Sequence, residues 1–276
     1  MKALVKSYPI IRKYTDRIDQ EIDDLISIEE PMEIRLQYFD LEWKETQLVV
    51  TMRTPGHDFD LATGFLFNEG IIHNAKDILK MQYCSENEDL NVLKIQLQKE
   101  VAFSHVSTER SFIANSSCGV CGKTSIEQVT CSAEAITEMG ILFKEEAIFN
   151  LSEKISKEQI AFKYTGGIHA SFIFDLNGEL LTVHEDIGRH NALDKAIGYY
   201  VQKEEKLDKK VLLVSGRLSY ELTQKAAMAR IPIIIAFGAP SSLAIDLAKE
   251  LNITICGFAK SKQFNVYHDD QRILSL

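Results

Sequence analysis

Apolar and polar positions change their rhythm several times along this chain, and each rhythm predicts an element. Met32 to Phe39 and Glu45 to Met52 alternate with period two, with Leu41 to Lys44 between them. That spacing predicts an antiparallel hairpin, followed by a turn at Thr54-Pro55-Gly56. His57 to Glu69 carries Leu61, Ala62, Phe65 and Leu66 as one apolar stripe, so it predicts a helix capped by Asp58 and stopped by Gly70. His57 reads as a polar residue at the helix start. A short helix is expected at Asn74 to Leu79, then strands at Gln82 to Cys84 and Val92 to Leu97. Before the hairpin, Asp16 to Glu30 sets Ile18, Ile22, Leu25 and Ile26 at near-helical spacing, in a segment so acidic that it also suits a solvated arm. Residues 1–110 thus predict a small α+β domain.

The middle of the chain is weakly patterned. Ser152 to Glu158 predicts one short helix, with Ser152 as its cap. From Tyr164 the pattern sharpens. A strand through Phe174, the turn Asn177-Gly178 and a returning strand to His184 are followed by a helix over Gly188 to Tyr200. Buried strands at Val211 to Val214, Ile231 to Phe237 and Thr254 to Phe258 alternate with helices at Ser219 to Arg230 and Ser241 to Leu251, and Phe264 to Tyr267 adds a last short strand. Residues 111–276 therefore predict an α/β domain with a largely parallel sheet covered on both faces. Such sheets bind ligands beyond the carboxyl ends of their strands.

The 276 residues carry a formal net charge of -9, which argues against non-specific binding to nucleic acid or to an acidic membrane. Five irregularly spaced cysteines do not form a secreted disulfide framework. No apolar run approaches membrane-spanning length, and Met1 to Tyr14 has no apolar targeting core, so the chain reads as soluble and cytoplasmic.

The densest chemistry lies at Ser116-Ser117-Cys118-Gly119-Val120-Cys121-Gly122-Lys123. Cys-x-x-Cys spacing beside a cation favours the thiolate, the reactive form. A zinc ribbon would need a second ligand pair, and Cys84, Cys131 and Cys256 stand alone. A thioredoxin-like pair would follow a strand and open a helix, whereas these glycines and serines read as loop. A buried inert pair fits such a polar setting poorly. A reactive loop thiol at Cys118 and Cys121 is the best single reading, and the other three stay open.

Three strand ends are polar or glycine-rich: Ser215-Gly216-Arg217, Gly238 to Ser242, and Phe258-Ala259-Lys260-Ser261-Lys262-Gln263. Two lead into helix N-termini, which favour anions, and Arg217, Lys260 and Lys262 add charge. They suggest a phosphate or pyrophosphate site, or else ordinary strand–helix loops. Neither a P-loop nor a dinucleotide fingerprint occurs. The stretch His184 to Asn191 packs two histidines, two carboxylates and an arginine together. His184 and His190 lack the spacing of a helical zinc pair, so a role in orienting a ligand or loop is expected, with no structural metal. His169, beside two glycines, is another polar candidate.

Taken in order, Cys118-Gly-Val-Cys121-Gly, Thr165-Gly-Gly-Ile-His169-Ala, His184-Glu-Asp-Ile-Gly-Arg-His190-Asn-Ala-Leu-Asp-Lys195, Leu213-Val-Ser-Gly-Arg217 and Gly257-Phe-Ala-Lys260 resemble the formate dehydrogenase accessory sulfurtransferases, the FdhD family. The resemblance covers the chain from about residue 30 onward. It implies a persulfide carrier that takes sulfur from a cysteine desulfurase. The recipient would be the molybdenum (or tungsten) bis-molybdopterin guanine dinucleotide cofactor, the bound substrate, before its insertion into formate dehydrogenase. It implies a cytidine-deaminase-like three-layer α/β/α fold for the C-terminal part, and a homodimer. The deaminase zinc signature is absent, which argues against deamination. By the family's motif, Cys118 carries the persulfide, Cys121 supports transfer, and Phe258 to Gln263 corresponds to the cofactor-binding segment. Many members have a glycine and an arginine near the end of that segment. Lys262-Gln263 stands there in this chain and lacks arginine's forked geometry. The alternatives are a cofactor chaperone without sulfur transfer and a thiol-disulfide oxidoreductase.

Overall fold

The computed structural model describes residues 4–84, 90–103, 112–114, 133–156 and 158–275. The predicted hairpin is β3 (Glu30–Asp40) paired with β4 (Glu42–Arg53). Alternation places Met32, Ile34, Leu36 and Tyr38 on the buried face. Around it lie β5 (Ile78–Tyr83), β6 (Val92–Leu97) and β7 (Phe112–Ala114), in the sheet order β5-β6-β3-β4-β7. Helix α1 (Asp58–Asn68) adds Leu61, Ala62 and Leu66 to the core of this sheet. Burying each of the two leucines contributes about 1.5–3 kcal/mol.

The first strands correct the helical reading of the acidic arm. Val5–Arg12 (β1) and Gln20–Ser27 (β2) form an antiparallel two-stranded ribbon, with Ile10 opposite Ile22. A lone ribbon is marginal in water. This one is tied to the body where Ser27 Oγ donates to Thr165 Oγ1 at 2.8 Å.

The second sheet follows β8 (Phe143–Lys144), α2 (Glu145–Ser156) and α3 (Ile160–Thr165). Helix α2 therefore begins seven residues before the expected cap at Ser152, because Ile148 and Leu151 are core residues as well as Ile155. The sheet is built from β9 (His169–Phe174), β10 (Leu180–Asp186), β11 (Val211–Val214), β12 (Ile233–Ala236), β13 (Thr254–Lys260) and β14 (Gln263–His268). Its order is β10-β9-β11-β12-β13-β14. Only β11, β12 and β13 run parallel; both flanks are antiparallel hairpins. The expected largely parallel sheet is thus mixed, because periodicity reports burial and not strand direction. A final β15 (Ile273–Leu274) pairs with β8.

Helices α4 (Arg189–Gln202), α5 (Tyr220–Met228) and α6 (Ser242–Glu250) cover one face through Leu193, Ile197, Leu222 and Leu247. Helix α2 covers the other, over Phe172, Phe174, Leu213 and Ile235. This is the three-layer α/β/α arrangement. Helix α1 crosses α4, so the two sheets share one helical interface. Its closest points are glycines: a Cβ on Gly198 would stand 1.9 Å from the Asp60 carbonyl oxygen.

Candidate functional site

The parallel strands β11, β12 and β13 end side by side, and their ends are stitched through backbone. Gly238 N donates to Gly216 O at 3.1 Å, and Phe258 N donates to Gly238 O at 3.2 Å. Leu218 N donates to Ala239 O at 3.0 Å, and Ser241 N returns to Leu218 O at 2.9 Å. The fit requires glycine at 238, where a Cβ would lie 2.8 Å from Arg217 Cα. Two of these ends run into helices. Ser219 Oγ accepts from Leu222 N, and Ser241 Oγ accepts from Ala244 N. Both helix N-termini thus face the carboxyl edge of the sheet, where the partial positive charge of a helix start favours anions.

Over Gly216 sit two side chains from neighbouring elements. The His169 ring and Arg189 Cδ both lie within van der Waals reach of the space above it, at 3.3 and 3.9 Å from the position of an added Cβ. Arg189 Nε is buried and has no hydrogen-bond partner among the described residues. Burial, and after it the Arg189 guanidinium, hold His169 below the ordinary histidine range. Arg217, Lys260 and Lys262 are exposed and form no ion pair among the described residues. An acidic protein therefore presents exposed cations at its strand ends, without an ion pair among the described residues, which suits phosphate or another anion.

The expected cofactor segment Phe258 to Gln263 is part strand, part turn. Ser261 and Lys262 make the tight connection between β13 and β14, closed by the pair Lys260–Gln263. A register irregularity between Gly257 and Lys260 places Phe258 in the left-handed region, at φ 51, with its ring exposed. Bulges of this kind re-aim side chains at sheet ends. Ala259 turns inward and joins the core, while Lys260, Ser261, Lys262 and Gln263 face outward.

The dense stretch from His184 to Asn191 resolves into separate parts. Asp186 is fully buried and pairs with Lys195 Nζ at 2.6 Å. Its carboxylate also accepts from Gly188 N at 2.8 Å, Thr54 N at 3.1 Å and Asn191 Nδ2 at 3.2 Å. Lys195 Nζ donates to Thr54 O at 2.8 Å, and Asn191 Nδ2 donates to Met52 O at 2.8 Å. These groups lock the end of β4 onto the start of α4. Burial pushes the Asp186 carboxyl up, against the pull of the Lys195 ammonium. His190 pairs with Glu221 of α5 at 2.8 Å. His184 turns the other way, and its ring meets the His57 ring edge-on at 4.9 Å. Burial, then the nearby His57, lower His184 to about 4.

Sequence reading missed two participants here. Arg53 is fully buried and forks onto Asp58 at 3.0 Å through both Nε and Nη2. Asp58 is therefore an ion-pair partner, and the helix-start position belongs to His57, in the left-handed conformation without a side-chain cap. A buried arginine at the end of an alternating strand was the available signal.

Cys118 and Cys121, with Cys131, lie outside the described residues. Of the thiols described, Cys84 follows β5 and is half-buried. Cys256 is buried in β13, where desolvation pushes its thiol up to about 12. Among the described residues no helix is long and apolar enough to cross a membrane.

The fold and these strand ends define a mixed α/β protein with a basic, helix-fronted edge suited to an anionic ligand. The family model of the FdhD/NarQ family matches residues 29–274, and the chain belongs to that family. It is 39% identical over 281 residues to the sulfur carrier protein FdhD of Streptomyces coelicolor, covering 99% of this chain and 97% of the relative. It is 42% identical over 254 residues to the sulfur carrier protein FdhD of Picrophilus torridus, covering 92% and 93%. A crystal structure from Desulfotalea psychrophila, described as a formate dehydrogenase accessory protein, superposes with a TM-score of 0.76 at 23% identity, covering 99% of this chain and all of that one. That last likeness speaks for the fold.

Proposed function

We propose that this protein is a cytoplasmic sulfur carrier for formate dehydrogenase. It would take sulfane sulfur from a cysteine desulfurase and deliver it to the bis-molybdopterin guanine dinucleotide cofactor held at the strand ends. The observation that carries this reading is the combination, within one family member, of a Cys-x-x-Cys motif with Arg217, Lys260 and Lys262, which are exposed at the strand ends and form no ion pair among the described residues. The names of its relatives as sulfur carriers support it.

The chemistry balances with two thiols. Cys118 thiolate attacks the outer sulfur of the donor's persulfide, so Cys118 becomes a persulfide and the donor leaves as a thiolate. Cys121 thiolate then attacks the inner sulfur of Cys118. A Cys118–Cys121 disulfide forms and hydrosulfide is released to the cofactor's metal, the two electrons coming from the thiol pair. Two external thiols, acting in turn through a mixed disulfide, return it to two thiols and leave as an external disulfide. The strand-end cations hold the cofactor's phosphates meanwhile, and the working unit is proposed as a homodimer.

The test is mass spectrometry of the full chain after incubation with a cysteine desulfurase and cysteine. One added sulfur on the peptide holding Cys118 is expected, lost in Cys118→Ala and retained in Cys121→Ala. If Cys118→Ala still matures an active formate dehydrogenase, the carrier reading is wrong and a cofactor chaperone replaces it.

A further inference from the structure

One cluster lies apart from the strand-end site. His57, at the start of α1, and Asp60, one turn into it, face His184 of β10. Their ligand atoms all lie within 4.8 Å of one another. His57 Nδ1 is 2.9 Å from Asp60 Oδ2. The other Asp60 oxygen is already engaged: Gln202 Nε2 donates to Oδ1 at 2.7 Å, which fixes the carboxylate and leaves Oδ2 turned to the cluster. His184 is only 3% exposed, yet its Nδ1 has no hydrogen-bond partner among the described residues. An orphaned polar atom in such a place costs about 1–3 kcal/mol and calls for an occupant.

We propose that His57, Asp60 and His184 form a binding site for a divalent late first-row metal ion, zinc foremost. Two imidazoles and one carboxylate are the donor set of zinc sites that keep one position open. Tetrahedral bonds of about 2.0–2.1 Å need ligand atoms roughly 3.3 Å apart. The His57 side chain is 62% exposed, so its ring has room to rotate and close the remaining gap. Gln202 acts as the outer partner that orients a metal-bound carboxylate. The fourth position opens to solvent on the His57 side. The ion would join α1 to β10 and so brace the contact between the two sheets. The expectation of no structural metal came from the poor spacing of His184 and His190. The partner of His184 here is His57, far away in sequence.

Cobalt(II) titration of the chelator-treated full chain tests the site. Expected are one saturable site per chain, visible bands of a nitrogen–oxygen set without thiolate-to-cobalt charge transfer, and a higher melting temperature. His57→Asn keeps the left-handed backbone comfortable and removes one ligand; Asp60→Asn removes another. Each should weaken binding by more than about tenfold, and Gln202→Ala by about tenfold. His57→Asn should melt like the metal-free wild type, which separates ligand loss from misfolding. Cys118→Ser/Cys121→Ser should bind unchanged. No saturable uptake, uptake unaffected by His57→Asn and Asp60→Asn, or uptake lost with the cysteines would each overturn the proposal. The cysteine result concerns Cys118 and Cys121 alone, so this site and the sulfur-carrier reading fail separately.

Discussion

Gly64 of α1 lies against Asp194 of α4 so closely that a Cβ on Gly64 would stand 1.9 Å from the Asp194 carbonyl oxygen. The contact is reciprocal, since Gly198 meets the backbone of Asp60 and Gly64 at the same crossing. Backbone thus meets backbone, and neither side has a flexible end to yield. Gly64→Ala and Gly198→Ala should each cost about 3 kcal/mol, the upper range for overpacking a tight core. Urea unfolding of each variant checks this. A loss under 1 kcal/mol, well below the range for such clashes, would mean that the crossing is looser than described.

The Asp186–Lys195 pair should behave as a lock and not as a titrating device. Lys195→Met leaves a fully buried carboxylate without its cation and should destabilise by about 3–5 kcal/mol. Asp186→Asn/Lys195→Met should recover part of that loss, because the uncompensated charge is gone. A double-mutant cycle in guanidinium measures the coupling; additive losses would remove the pair from the lock.

Lys260→Ala/Lys262→Ala should weaken guanine-nucleotide binding by about tenfold and flatten its salt dependence, since exposed charges act through a screened field. Calorimetry at two salt concentrations reads both effects. Unchanged affinity would move the phosphates away from the β13–β14 turn.

His169 supplies a pH signature for the same edge. Burial and Arg189 hold its folded value below the ordinary 6.5. A depressed histidine stabilises the fold above the unfolded value, and that contribution is lost as pH falls below 6.5 towards the folded value. NMR titration should place the His169 midpoint below 6.5, and added guanine nucleotide should raise it by offsetting Arg189. A midpoint that nucleotide leaves in place would put the phosphates elsewhere.

Cys256, pushed up to about 12 by burial, should resist alkylation in the native protein at pH 8 and react only on unfolding. Peptide mapping of labelled native protein checks this. Native labelling of Cys256 at the rate of a free thiol would show that β13 opens readily.

The hairpin β3–β4, helices α1, α4, α5 and α6 and the buried strands were legible in the amino-acid order, because hydrophobic period is a local property of the chain. Short motifs in a fixed order also picked out the pair Cys118 and Cys121, which lies outside the described residues, and the glycines and cations of the strand ends. The acidic ribbon β1–β2 was not legible in this way, since half-exposed strands with mixed charge carry no clean period. Strand direction emerged only from the folded arrangement, since it depends on how the strands are connected and not on the period of their side chains. The folded arrangement also decided which polar groups meet. Asp186 finds Thr54, Arg53 finds Asp58, and His184 finds His57 rather than His190. Such pairings are made where two elements cross, and the close approach of α1 and α4 at Gly64 and Gly198 creates that crossing.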